Sequence, residues 1–449
     1  MTHRTSSARA TGRRVAFAFL LPAVLGACGG GLFGNSEGDR LPGERISILS
    51  LQQVSQPDPR IADLQVRLPR PRINADWPQA GGQPTHVMQH LSLSDDPQRI
   101  WSTDIGSGSG SLVRLLAPPV VGGGVVYTLD AKGRVSALTT DRGKRIWQSN
   151  ITPDGEEAGA LGGGVALANG VLYASTGYGD VVAFDAATGV EQWRERIGIP
   201  LRGAPTISAG RLFVLTYDNQ VFALDARDGG VLWTYVGIAE TAGLIATASP
   251  AVDGGVVIAP LSSGELVSLR AADGRVLWSD TLARSGRVTA LAELSNINGR
   301  PAIQDGVVYA VSHAGRMVAV DVNTGARVWT QNIAGVESPW IAGQFIYLIT
   351  TDAEVLALSR RDGLIRWVTQ LPRFRKPADR TGRITWSGPL LASDRLILVS
   401  STGSAVAISP YTGELLGELK LPDGAMVAPV LANETLYVLT DDGDLVAYR

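Results

Sequence analysis

The sequence predicts an all-β protein: an eight-bladed β-propeller with Trp-docking repeats, its ring closed by an N-terminal strand. Three observations lead there. A tryptophan recurs four residues after a glycine, at Gly143/Trp147, Gly189/Trp193, Gly229/Trp233, Gly274/Trp278, Gly325/Trp329 and Gly363/Trp367. These tryptophans are spaced 46, 40, 45, 51 and 38 residues apart, and a period of roughly 40–50 residues marks a propeller, solenoid or array. The chain also holds 53 glycines in 449 residues, well above the usual ~7% and fitting for many tight turns.

The second unit shows the repeat most fully. Val171-Leu172-Tyr173-Ala174-Ser175-Thr176 and Val181-Val182-Ala183-Phe184-Asp185 flank Gly177-Tyr178-Gly179-Asp180. Two β-branched and aromatic runs around a Gly/Asp turn read as a hairpin. A further turn from Asp185 to Gly189 leads to the strand that carries Trp193, and glycine supplies the positive φ such a turn needs. An apolar run with a proline precedes the hairpins, as in Ala204-Pro205-Thr206-Ile207 and Ser249-Pro250-Ala251-Val252. Four short strands per unit make a propeller blade. The string Ala-x-Asp-x-x-Thr-Gly-x-x-x-Trp is complete at Ala183–Trp193 and Ala319–Trp329 and drifts elsewhere. Each indole is read as structural, burying a large apolar area between neighbouring sheets while its N–H finds a carbonyl.

Six units end in those tryptophans. A seventh runs from Trp386 through Thr412-Gly413, and Gly417 stands at its Trp position. An eighth starts at Met426-Val427-Ala428-Pro429 and stops at Arg449 one strand short. The missing strand is expected from Gln98–Ile105, which carries the orphan Trp101. Joining the two ends removes strand edges that would otherwise invite aggregation.

Ahead of the ring, Arg4, Arg9, Arg13 and Arg14 precede the apolar stretch Val15–Ala27, a basic n-region and an h-region in the manner of a secretory signal. Leu25-Gly26-Ala27-Cys28 is similar to a bacterial lipobox and contains the single cysteine of the chain. Residues 1–27 are therefore read as a lipoprotein signal peptide and 28–75 as a lipidated, mostly flexible tether with a short ordered piece at Ile46–Leu51. Residues 76–449 form the propeller. Acylation of Cys28 supplies multiple acyl tails and stable anchoring. Gly29 rather than Asp after the cysteine points, by resemblance to enteric sorting rules, to the outer membrane. One cysteine allows no disulfide within the chain, even in an oxidising compartment.

The Trp-docking repeats resemble those of pyrroloquinoline-quinone propellers, a group that includes quinoprotein dehydrogenases and the BamB family of the outer-membrane β-barrel assembly machinery. With the lipobox and eight bare repeats, the chain resembles the BamB branch over residues 76–449. That resemblance implies a non-catalytic lipoprotein scaffold on the periplasmic face of the outer membrane. It implies binding to the periplasmic domains of BamA, contact with other subunits and unfolded client barrels, and help in outer-membrane protein folding and insertion. Two loop regions carry the family contact: a Leu-x-Leu-Arg stretch before an Ala-Pro strand start, and a Ser-Asp-x-Asp before a Pro strand start. The first is placed at Ala242-Gly243-Leu244-Ile245, ahead of Ser249-Pro250, with Ile245 for arginine. The second is placed at Ser295-Asn296-Ile297-Asn298, ahead of Pro301, with Asn296 and Asn298 for the acids.

The alternative, a periplasmic quinoprotein dehydrogenase or small-ligand-binding propeller, finds little support. A vicinal disulfide above a quinone needs two cysteines, and no Cys-x-x-Cys-His haem motif occurs. No cofactor and no metal site are expected. His86 and His90 lie four apart without Cys or acidic company and are read as a solvated lead-in rather than a metal pair; His313 is placed in a hairpin turn. Gly122-Gly123-Gly124 and Gly162-Gly163-Gly164 lack the Lys-Ser/Thr of a phosphate loop. Arg373, Arg375, Lys376, Arg380 and Arg383 form a basic loop, read as solvated, with an anionic partner or lipid headgroups as the alternative. Leu282–Leu294 is a long connection of the kind that carries binding and a short helix. A net charge of −2 excludes a strongly basic nucleic-acid footprint. Deleting residues 96–105 is predicted to open the ring, so that the truncated protein loses the single cooperative melting transition of the parent.

Overall fold

The structure, a computed structural model, describes residues 55–240, 247–283 and 296–449. Eight four-stranded antiparallel sheets form the eight blades of the propeller. Blade one comprises Val120–Gly122, Val125–Leu129, Arg134–Thr139 and Arg145–Asn150, and blades two to seven repeat that order. Blade eight takes Val430–Ala432, Thr435–Leu439 and Asp444–Tyr448 from the C-terminus and Arg99–Asp104 as its fourth strand. Trp101 pairs with Ala447 across that closure, and Gln98 and Arg449 exchange both backbone hydrogen bonds, at 2.8 and 2.9 Å.

The repeat motif is a plug and a socket on different blades. Each Trp sits on the fourth strand of one blade and docks on the third-to-fourth-strand turn of the next. In blade two the Asp185 carboxylate accepts from the Ala187 and Thr188 N–H groups and the Thr188 hydroxyl, and Gly189 N–H closes the turn on Asp185 O at 2.8 Å. Asp321, Asn323 and Thr324 build the same turn in blade five. Trp147 donates its indole N–H to Ala186 O at 2.9 Å, and its ring lies where a Cβ on Gly189 would come within 2.5 Å. The same pairing holds for Trp101 with Gly143, Trp193 with Gly229, Trp233 with Gly274, Trp278 with Gly325, Trp329 with Gly363 and Trp367 with Gly413. The motif Ala is explained on the other side: Ala137, Ala183, Ala223, Ala319 and Ala357 lie directly across the strand pair from their tryptophans, where a larger side chain would displace the ring. Trp193 departs in one respect. Its N–H is buried without a partner among the described residues, and the expected carbonyl, Ala226 O, accepts from the Tyr173 hydroxyl at 3.0 Å.

Gly417 now has a physical reason. The socket of blade eight would be the turn between its third and fourth strands, which is where the two chain ends meet. No Asp-x-x-Thr-Gly turn exists there, so a tryptophan at 417 would have no glycine to lie on and no carbonyl to bond. A Cβ on Gly417 would meet nothing within 4 Å.

A feature absent from the sequence reading closes one end of the central channel. Residues 72–93 run once around it and accept one backbone N–H from every blade. Trp77 O takes the N–H of Val121 at 2.9 Å, Pro78 O that of Leu167 at 2.7 Å, Pro84 O that of Val252 at 2.8 Å and Thr85 O that of Ile303 at 2.9 Å. Gln79 Oε1 takes Ile207 N–H at 2.9 Å and Gln89 Oε1 takes Gly343 N–H at 3.2 Å. Leu91 O takes Ser393 N–H at 2.9 Å, and Asn74 O takes Asn433 N–H at 2.7 Å. The strap then bonds to itself, Ser92 N–H to Arg72 O at 2.9 Å and Arg72 N–H to His90 O at 3.0 Å. Unpaired edge N–H groups facing a narrow channel are costly to leave unsatisfied, and the strap supplies their acceptors.

The strap corrects the reading of the two histidines. They are not solvated: His86 is 7% exposed and His90 1%. Each serves as a structural side chain: His86 Nδ1–H donates to Pro301 O and His90 Nδ1–H to Pro69 O, both at 2.7 Å. Of the expected tether, residues 55–75 are described and rest on the ring through Asp58 N–H to Ile365 O at 2.7 Å, Ser55 to Glu354 and Arg366 to Leu64 O. Cys28 and Ile46–Leu51 lie outside the described residues.

Substituting Gly189→Ala forces a Cβ into Trp147 at φ +73° and is expected to destabilise by about 2–4 kcal/mol. Gly417→Trp is expected to stay within about 0.5 kcal/mol of the parent. Denaturant unfolding of the two variants measures both values.

Candidate functional site

Antiparallel four-stranded blades place every blade-to-blade connector on one face of the ring, with the second-to-third-strand turns. The loops singled out from the sequence, 241–249 and 293–300, belong to the connectors that flank blade four. Leu244 and Ile245 lie outside the described residues, as does the stretch expected to hold a short helix. The stems of both loops are described, and they converge on one turn of blade four, Leu261–Gly264.

Asn219 pins the first stem. It occupies a positive-φ turn position (φ 67°) in blade three and is fully buried. Its Nδ2 donates to Ile238 O at 2.6 Å, and its Oδ1 accepts from both the N–H and the hydroxyl of Ser262 at 2.7 Å. The second stem is pinned by Leu282 and Ile297, both fully buried. Leu282 N–H donates to Gly264 O at 2.7 Å and Ile297 N–H reaches Leu261 O at 3.4 Å.

Arg202, just ahead of the first strand of blade three, ties blade three to the second stem. It is 1% exposed, and its guanidinium donates to Pro260 O at 2.9 Å and Ile297 O at 3.2 Å. Burial pushes its pKa down to about 10, partly offset by Tyr217, so it remains a cation at neutral pH. A strand-end carbonyl of blade four and a carbonyl of the second stem hold this charge. Arg202 was missed in the sequence, yet a signal was present: Leu201-Arg202-Gly203-Ala204-Pro205 is itself a Leu-Arg string before an Ala-Pro strand start. It lies one connector earlier than the placement at Leu244 and Ile245, and the structure brings Arg202 of this string against Ile297 O.

Asn296 and Asn298 differ in what they can reach. Asn296 is 1% exposed, and its carbonyl accepts His313 N–H at 3.0 Å, so it belongs to the base of the loop. Asn298 is half-buried and its Oδ1 has no partner among the described residues. The basic segment also proves ordered: Phe374–Lys376 and Thr381–Arg383 pair as a hairpin on the same face. Arg373 pairs with Asp352 and stacks over Phe374 at 5.7 Å, while Arg375, Lys376, Arg380 and Arg383 stay exposed.

The channel holds a chamber of ≈ 40 Å³ above the strap. That is room for about three waters and far too little for a fused tricyclic quinone. Among the described residues no group of three or more His, Cys, Asp or Glu side chains is placed to hold a metal ion.

The model of the family described as outer membrane protein assembly factor BamB matches residues 85–161 and 131–369. The chain is 25% identical to the assembly factor BamB of Yersinia pestis over 358 residues, spanning 78% of this chain and 88% of that one. It is 28% identical to that of Escherichia coli K12 over 352 residues, spanning 77% and 87%. Among solved structures, BamB from Moraxella catarrhalis superposes with a TM-score of 0.67 at 19% identity, covering 79% of this chain and 100% of that one. The quinohemoprotein alcohol dehydrogenase of Comamonas testosteroni shares the fold at a TM-score of 0.64 and 16% identity, covering 83% and 80%. Matched by the family model over more than half its length, the chain belongs to the outer membrane protein assembly factor BamB family.

Proposed function

We propose that this protein is a non-catalytic scaffold of the outer-membrane β-barrel assembly machinery, tethered to the inner leaflet of the outer membrane through acylated Cys28. Its partner is the barrel-forming subunit BamA, engaged through the connectors that flank blade four, and it assists folding and insertion of client barrels. The observation that supports the partner site best is the convergence of two connectors, far apart in sequence, on the single turn Leu261–Gly264. Such a paired-loop ridge on a rigid sheet scaffold suits recognition of a folded domain. Leu244, Ile245 and Asn298 supply contact groups in this reading, and Asn296, Asn219 and Arg202 hold the stems.

A solubilised-envelope pull-down tests the reading. The full chain is expected to co-purify BamA, and exchanging 239–246 together with 284–295 for Gly/Ser linkers of equal length, which leaves the buried stems in place, is expected to abolish capture without changing the melting transition. A purified protein carrying a quinone chromophore and Ca²⁺-dependent dehydrogenase activity would overturn it. A mass for the mature protein that starts at Cys28 with three acyl chains checks the anchor.

Arg202→Met removes two donors from buried carbonyls, each worth about 1–3 kcal/mol when left unpaired. The expected result is an unchanged β-sheet circular dichroism spectrum, faster proteolytic cleavage in the 283–298 connector, and at least tenfold weaker capture of BamA. Cleavage at the parent rate would separate Arg202 from the loop.

A further inference from the structure

The axial chamber presents an incomplete set of hydrogen bonds. Its floor is the strap, through Trp77 and His86, and its wall includes Arg300, Glu337, Ser338 and Trp340, at or just ahead of the first strands of blades five and six. Trp77 is 4% exposed and its indole N–H has no partner. His86 is 7% exposed and its Nε2 has none. Arg300 Nε–H lacks one as well. Three residues that line one small cavity thus each carry a polar atom without a partner among the described residues, where buried polar groups in folded proteins are nearly all bonded.

The chemistry each atom asks for follows from its surroundings. His86 Nδ1 faces Pro301 O at 2.7 Å, so Nδ1 carries the proton and donates, which leaves Nε2 an acceptor. Burial, and then the neighbouring Arg300 charge, push the His86 pKa down to about 3, so the ring stays neutral at any physiological pH. Trp77 and Arg300 are donors. The cavity therefore calls for a ligand with an acceptor oxygen and a donor hydrogen on the same small group. His86, Arg300 and Glu337 are the titratable groups lining it. Burial raises the Glu337 pKa to about 7, against the pull of Arg300, Ser387 and the Gly388 N–H. With Glu337 ionised, Arg300 and Glu337 balance, and a neutral ligand enters without a charge penalty. The indoles of Trp77 and Trp340, stacked at 6.3 Å and 20°, give the floor a flat apolar face.

We propose that the axial chamber is a binding site for a primary carboxamide. The carbonyl oxygen accepts from Trp77 Nε1 and Arg300 Nε, and the amide nitrogen donates to His86 Nε2. The cavity of ≈ 40 Å³ sets the size at an acetamide, presented either as a free small amide or as the end of a Gln or Asn side chain. Arg300 follows Asn298 by two residues, so a filled chamber also braces the base of the second connector. The site stands whether or not that connector binds a partner.

The test uses the purified full-length protein in detergent. Acetamide, acetate, N,N-dimethylacetamide and acetyl-Gly-Gln-Gly-amide are titrated at pH 8 by ligand-observed NMR, and crystals are soaked with acetamide. Acetamide in the chamber, with acetate and dimethylacetamide at least tenfold weaker, is the expected result. A tripeptide that binds at least tenfold tighter than acetamide assigns the group to a Gln side chain, and one that does not bind assigns it to a free amide. Trp77→Phe keeps the stacked ring and removes one donor, and is expected to weaken acetamide about fivefold to tenfold. Arg300→Lys gives the same readout should Trp77→Phe fail to fold. Ordered water alone in the soaked chamber, or acetate binding as well as acetamide, would overturn the proposal.

Discussion

The seating of one blade's tryptophan on the next blade's turn is the interaction on which the rest of the molecule depends. A propeller blade is too small to bury both faces of its sheet alone, so its stability comes from its neighbours. The indole meets that need twice, through the apolar area of its ring on a glycine and through its N–H on a carbonyl three residues earlier, as Trp147 does on Gly189 and Ala186. The turn must offer both at once. That is why an aspartate folds the turn around Thr188 and why the glycine tolerates no side chain: its φ is positive and the space above it is already taken. Seven seams seat the indole ring on a glycine, and the eighth lacks both plug and socket because the third and fourth strands of blade eight are far apart in sequence and no tight turn joins them.

Closure therefore relies on other forces at that seam. The fourth strand of blade eight is stitched to the C-terminal strand along its length. The strap adds a second closure at right angles to the first, since each blade gives it one N–H. A ring held by tryptophans around its rim and by the strap at its centre is a rigid platform. Rigid platforms leave recognition to their connectors, and the buried side chains of Asn219 and Arg202 show how the connectors on blade four are held in place.

The shared fold of assembly factors and quinone enzymes illustrates how a ring of this kind is indifferent to function. Here its axis is occupied by the strap and by a chamber lined by Trp77, His86 and Arg300. The face opposite the strap carries the connectors, the half-buried Asn298 and the basic hairpin.

The blade count and the stitched closure could be read from the sequence because they rest on local chemistry that recurs along the chain: a turn glycine, a tryptophan four residues later, and the orphan Trp101 ahead of the first unit. The sequence determined, by itself, that the chain is a propeller and where its ring is joined. It did not reveal that each tryptophan serves the blade after its own, because a motif shows spacing along the chain and not which neighbour it meets. Nor did it show the strap. Residues 72–93 have no periodicity, and their role comes from acceptors matched to eight N–H groups in eight separate segments. His86 and His90 look solvated among polar neighbours and are buried only because the ring surrounds them. Arg202 reads as one more arginine in a loop, and the fold alone puts it against a carbonyl 95 residues away. Periodic local contacts are written into a sequence, while contacts that bring distant, unrepeated segments to one place are decided when the ring closes.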